Sequence, residues 1–146
     1  MFSPMEERMS TADLFSSLMA IDFMCTELCN LKCDFCPRSK DYPNLNLHMS
    51  LDIIQKVAEE LADLGYKNRL LFCGFGEPLL YNHLVEAVTI LKNEMPWQEN
   101  IHIVTNGDRL NKAKAKELYE AGVNKIFVSM YQGPNQVHRF KKIFED

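Results

Sequence analysis

Four short apolar runs, residues 18–24, 69–73, 101–105 and 125–129, alternate with stretches whose apolar residues recur at helical spacing. No other feature of the chain constrains its fold as strongly, because sequential strands joined by helices pair in parallel through right-handed crossovers. The first crossover helix is predicted to start at the cap Ser50, with Asp52 in its first turn and an apolar face of Leu51, Ile54, Val57, Ala58 and Leu61. It stops at Gly65. A second helix carries Leu84, Val85, Val88 and Leu91 and ends before Pro96. A third runs from residue 110 to 121 and closes at Gly122, and a last one starts after Gly133-Pro134. The expected fold class is α/β, a parallel-stranded partial (β/α) barrel of about four βα units, with an open sheet as the other solution. In both, ligands sit at the carboxyl ends of the strands.

The features that carry chemistry fall at those ends. After the first strand, residues 25–38 read CTELCNLKCDFCPR and hold four of the five cysteines. Cys29, Cys33 and Cys36 form a C-x3-C-x2-C pattern. Three thiolates in one loop can hold one face of a small inorganic cluster, but not supply the four-cysteine ligation most iron–sulfur sites use, so one metal position is left open. A register starting at Cys25 would need a cysteine where Lys32 stands, so Cys25, like Cys73, reads as a packing residue at a strand end. Two other readings stand beside this one: core cysteines on one helix face, and a zinc site with Cys25 or His48 as fourth ligand. Lys32 and Arg38 are expected to favour thiolate over thiol. The polar passage to His48, with Asp41, Pro43, Asn44 and Asn46, reads as a long loop beside the cysteines.

The second strand runs into Gly74-Phe75-Gly76-Glu77-Pro78, the third into Thr105-Asn106-Gly107 and the fourth into Ser129-Met130-Tyr131. Glycines let backbone approach a ligand closely, and Glu77 can accept hydrogen bonds from a charged amino group. The plainer reading of residues 74–78 is a strand-to-helix turn. His48, His83, His102 and His138 show no mutual spacing and read as solvated or structural.

The run CNLKCDFCPR, with Phe35 before the last cysteine, resembles the signature of the radical S-adenosylmethionine (SAM) superfamily. The resemblance implies a [4Fe–4S] cluster on Cys29, Cys33 and Cys36, with the amino and carboxylate groups of SAM on the fourth iron. It implies reductive cleavage of SAM to methionine and a 5′-deoxyadenosyl radical that abstracts a substrate hydrogen. Residues 74–78 resemble the family's GGEP motif, with Phe75 where glycine is commonest, so Gly74, Gly76, Glu77 and Pro78 are expected at the amino end of SAM. Phe35 is expected to border the adenine, Ser129 the ribose, and Asn106 to contact the cofactor from the third-strand turn. Together with GFGEPLL and VSMYQGP these runs look most like the SPASM-type subgroup, which modifies peptides, proteins, sugars and other metabolites. The implied partners are SAM, a substrate the residues do not specify, and a reductant such as flavodoxin or ferredoxin. A glycyl-radical activase and a non-catalytic iron–sulfur or zinc module are the alternatives.

At 146 residues and 47% hydrophobic content the chain suits one domain, read as an N-terminal extension (1–17) and a core (18–146). A net charge of −4 gives no field for nucleic acid or an anionic membrane. No apolar run reaches membrane-spanning length, and five closely spaced cysteines suit a reducing compartment, so a cytoplasmic location is expected. The family's barrel has six βα units and this chain about four, which makes a truncated form or fragment the expectation. An uncovered edge strand then offers a surface for self-association.

Overall fold

The computed structural model describes residues 17–41 and 44–145. Residues 1–16 of the expected extension, and Pro43 of the loop, lie outside the described residues. Strands β1 (Ala20–Phe23), β2 (Arg69–Phe72), β3 (Ile101–Thr105) and β4 (Lys125–Val128) form one sheet in sequence order. All pairs are parallel, with Phe23 opposite Phe72, Phe72 opposite Ile103 and Ile103 opposite Ile126, so the four carboxyl ends lie along one rim. Five helices complete the described part: α1 (Arg38–Asp41), α2 (Leu51–Asp63), α3 (Leu84–Glu94), α4 (Lys112–Ala121) and α5 (Gln136–Phe144).

Side chains alternate along a strand, and that divides the sheet into two unlike faces. Leu70, Phe72, Ile101 and Ile103 are fully buried against Ile54 and Ala58 of α2 and Leu84, Ala87, Val88 and Leu91 of α3. Phe23 stacks on Phe72 at 5.3 Å within the same layer. Truncating one of these to alanine costs about 2–5 kcal/mol. The opposite face carries Asp22, Leu71, Val104, Lys125 and Phe127, of which Asp22, Lys125 and Phe127 are exposed. Helices on one side of a sequentially ordered parallel sheet are the geometry of a (β/α) barrel, here represented by four units.

The local reasons match the sequence. Ser50 caps α2, its side chain accepting from Ile53 N, and Gly65 beyond the end takes φ +62°. Several boundaries move inward, two of them by two residues and for a visible reason. The first strand begins at Ala20 because the Leu18 carbonyl is taken by Asn68 Nδ2 (2.8 Å) and Tyr66 OH (3.4 Å), leaving Leu18 and Met19 exposed. Helix α4 begins at Lys112 because Asn111 accepts from Lys114 N (2.9 Å) and so takes the cap position. One element is additional to the predicted set. Within the expected loop, α1 is a single helical turn after Pro37, whose carbonyl accepts from Lys40 N and Asp41 N.

Candidate cofactor-binding site

The cysteine loop is held by its own return path. Glu27 N donates to Leu47 O (3.0 Å), Met49 N to Cys25 O (2.9 Å), and Thr26 bridges His48. Arg38 is buried beneath the loop, donating from Nε to Glu27 O (3.2 Å) and from Nη2 to Asn44 Oδ1. Asn44 Oδ1 also accepts from Cys29 N at 3.2 Å. The guanidinium's hydrogen bonds thus go to the loop's scaffold, while its charge remains beside the cleft that the three cysteines line. Burial pushes the Cys33 thiol up, and Cys29, Cys36 and Asp34 push it further in the same direction. A bound metal ion reverses that preference, because its charge deprotonates a coordinating thiol.

Cys25 sits in the core, its thiol pushed up to about 12 by burial and then by Cys73. Cys73 is pushed up to about 11 by burial and then by Asp22. His48 faces Asn46 Oδ1 (3.3 Å) and stacks on Tyr81. Among the described residues no three His, Cys, Asp or Glu side chains converge on a single ion. Neither Cys25 nor His48 is among the residues that line the cleft with Cys29, Cys33 and Cys36.

The Gly-Phe-Gly-Glu-Pro turn is locked to the cysteine loop. A Cβ on Gly76 would lie 1.9 Å from Thr26 O, so close approach of two backbones within the protein already requires glycine there. Gly74 takes φ +116°, with Met24 packed against it. Glu77 N donates to Leu28 O at 2.7 Å. The Glu77 side chain is 2% exposed, and its carboxylate accepts three hydrogen bonds: Leu79 N (3.0 Å) and Thr105 Oγ1 (2.6 Å) on Oε1, and Asn106 N (2.8 Å) on Oε2. Glu77 thereby ties the β2 turn to the end of β3, with one acceptor position left on Oε2. Pro78 opens a 3-10 turn (Pro78–Leu80) and is buried.

Asn106 Nδ2 reaches Asn30 Oδ1 (3.0 Å) and lies 3.9 Å from Cys29 Sγ. Ser129 N donates to Thr105 O (2.8 Å), carrying the end of β4 to the same place, and Phe35 meets Tyr131 with ring centroids 5.1 Å apart. The result is one cleft at the strand ends, with a cavity volume of about 100 Å³ and open to solvent. Of the sequence-predicted set, Cys29, Cys33, Cys36, Phe35, Gly74, Gly76, Glu77, Asn106 and Ser129 line it, and Pro78 does not. Val104 and Tyr131 line it too. Alternation along β3 and the two-residue step from Ser129 are the signals that could have pointed to them. Asn30 carried no signal in the sequence.

Three soft sulfurs in one open cleft, with the exposed aromatics Phe35 and Tyr131, are a donor set of the kind that holds an iron–sulfur cluster with an open position. The model of the radical SAM superfamily matches residues 23–144. The chain belongs to the radical SAM superfamily. It is 30% identical over 117 residues to the S-adenosyl-L-methionine-dependent 2-deoxy-scyllo-inosamine dehydrogenase of Niallia circulans, covering 80% of this chain and 46% of that protein. It is 34% identical over 119 residues to the GTP 3′,8-cyclase of Staphylococcus haemolyticus, covering 77% of this chain and 34% of the other. The crystal structure of BtrN in complex with AdoMet and 2-DOIA matches with a TM-score of 0.77 and 27% identity, over 88% of this chain and 51% of that one. The chain thus spans about half the length, or less, of the relatives it matches.

Proposed function

We propose that this chain is the cluster- and SAM-binding part of a radical SAM enzyme of the SPASM-type subgroup. The observation that carries this is the convergence of Cys29, Cys33 and Cys36 with the Gly76-Glu77 turn, Asn106 and Ser129 on one cleft. Cys29, Cys33 and Cys36 hold a [4Fe–4S] cluster. The turn at Gly74, Gly76, Glu77 and Pro78 receives the amino end of SAM, Phe35 and Tyr131 border the adenine, and Ser129 meets the ribose. The bound pair supplies one-electron reductive cleavage of SAM and, from it, hydrogen abstraction from a peptide, sugar or other metabolite.

The chain's own residues orient and exclude. Glu77 fixes the spacing between the second and third strand ends through its three hydrogen bonds, and its remaining Oε2 lone pair would accept from a ligand ammonium. Phe35, 69% exposed, and Tyr131 form an apolar lip that displaces water when a planar ring enters. The electron comes from a reductant such as flavodoxin or ferredoxin. Residues 18–146 form the core and residues 1–17 an extension. No described helix is long and apolar enough to cross a membrane, which fits the proposed cytoplasmic location.

The partial coverage of the relatives favours a second reading, a cluster-binding module or fragment whose turnover needs further chain or a partner on the exposed β4 edge. Anaerobic reconstitution decides between them. About four irons and four sulfides per chain with SAM-dependent release of 5′-deoxyadenosine supports the enzyme. Cluster uptake without deoxyadenosine supports the module, and a chain that takes up no iron sinks both.

A further inference from the structure

We propose that Asn106 is a positioning residue for the cluster, donating a hydrogen bond from its side-chain amide to the sulfur of Cys29 and thereby raising the cluster's reduction potential. This rests on the cluster assignment above and extends it to a residue outside the ligand set. The amide's orientation follows from neighbours whose donor and acceptor roles are unambiguous. The Asp108 carboxylate accepts Asn30 Nδ2 at 2.7 Å, which turns Asn30 Oδ1 toward Asn106. Asn106 Nδ2 donates to that oxygen at 3.0 Å, and Asn106 Oδ1 accepts from Asp108 N at 2.9 Å. A backbone N–H has no other role than donor, so both ends of the amide are assigned and cannot be exchanged.

One N–H of Asn106 remains, and Cys29 Sγ stands 3.9 Å from that nitrogen. The residue is only 6% exposed, so water does not compete freely for the same N–H. The far end of the arrangement is also held. Arg139 of α5 donates to Gly107 O (3.1 Å) and Asp108 O (2.6 Å), fixing the turn that presents Asp108. A Cβ on Gly107 would meet Phe140 at 2.5 Å, so α5 is seated directly on that turn. The fourth βα unit thus braces the turn whose amide is aimed at a cysteine in the loop after the first strand.

A hydrogen bond to a ligating sulfur stabilises the more negative, reduced cluster and is one of the levers on its potential. Anaerobically reconstituted full chains of the parent, Asn106→Leu, Asn106→Gln and Asn30→Ala are titrated with dithionite under EPR detection, without SAM. The expected result for Asn106→Leu is about a tenfold fall in the ratio of reduced to oxidised cluster at fixed potential, ~59 mV more negative for one electron. Asn106→Gln, which keeps a donor, recovers part of the shift. Asn30→Ala, which leaves Asn106 but frees its amide, shifts in the same direction by less. A purely mechanical tie lowers cluster content or melting temperature and leaves the potential and EPR signal of the assembled fraction unchanged, and that outcome overturns the proposal. A parent chain that assembles no cluster removes the underlying assignment as well, so the two failures are distinguishable.

Discussion

Glu77 offers the sharpest separation between a residue that builds the site and one that only touches a ligand. Its carboxylate is almost fully buried and takes two backbone N–H groups and one hydroxyl, at 2.6–3.0 Å. Glu77→Ala leaves Leu79 N and Asn106 N without partners, while Thr105 Oγ1 keeps the bond it accepts from Gly107 N. Hydrogen bonds to a charged group contribute about 1.5–3 kcal/mol each and do not add fully, which gives a loss of about 3–5 kcal/mol. For a chain of this size that corresponds to about 10 °C in melting temperature. Glu77→Gln retains one oxygen for Leu79 N and Thr105 Oγ1 but sets an NH2 against Asn106 N, for a loss of about 1–3 kcal/mol. The assay is thermal or urea denaturation of the ligand-free chain followed by circular dichroism. A carboxylate kept only for an external ammonium would show the opposite, since removing an unsatisfied buried charge is neutral or stabilising. A Glu77→Ala melting temperature within about 2 °C of the parent refutes the bracing role.

Three further outcomes follow from the same geometry. Gly76→Ala places a methyl group 1.9 Å from the Thr26 carbonyl oxygen, a clash no rotamer relieves. It is expected to cost about 3 kcal/mol and to lower iron uptake on reconstitution, read by melting and iron analysis together. Cys25→Ala removes a core thiol at about 1–2 kcal/mol but keeps the parent's iron content, whereas alanine at Cys29, Cys33 or Cys36 abolishes it; loss of iron from Cys25→Ala would count against the ligand assignment. His102 is 5% exposed, with no hydrogen-bond partner on either ring nitrogen among the described residues, and burial first, then Lys125 and Arg69, holds it below its usual value of 6.5. Its neutral form is the one the fold accepts, so stability present above pH 6.5 falls as pH drops through the lowered value; the slope should vanish in His102→Leu, measured as urea midpoint against pH.

The fold was legible because its signals are local and repeat. Four apolar runs, the Ser50 cap and the glycine stops at 65 and 122 each act within a few residues, and each appears within two residues of where the pattern put it. The short turn α1 escaped because its one-turn helix is made by backbone bonds to Pro37 and has no apolar face to announce it. The cleft's residue types were legible for a different reason: the strand ends converge, so unusual residues there must meet. What the sequence did not show is which atoms are already engaged. Gly76 and Glu77 were read as free to meet a ligand, yet Thr26, Leu28, Leu79, Thr105 and Asn106 occupy them, contacts that join residues up to 50 apart. Asn30 is the clearest case, since its role exists only through Asp108, 78 residues away.

Those long-range bonds decide how the site can work. The segment carrying Cys29 is tied to the α2 approach by Met49 N→Cys25 O, to the β2 turn by Glu77 N→Leu28 O, and to the β3 turn by Asn106 Nδ2→Asn30 Oδ1. Arg38 closes it from below. Ordering a free loop costs about 1–2 kcal/mol per residue, so a loop fixed before ligation spares that cost at the moment a cluster binds. If the proposed cluster assignment holds, that binding energy would be available to set the cluster's position relative to Glu77 and Ser129. Four βα units are sufficient for this because every tie originates within them, from β1 through α5. The lip of Phe35 and Tyr131 and the uncovered inner residues Lys125 and Phe127 are a different matter: they present surface without closing it. Under the proposed assignment, a chain built this way would separate assembly of a cluster site, whose loop its own hydrogen bonds hold, from enclosure of a substrate, which would need the β4 edge and the inner face covered.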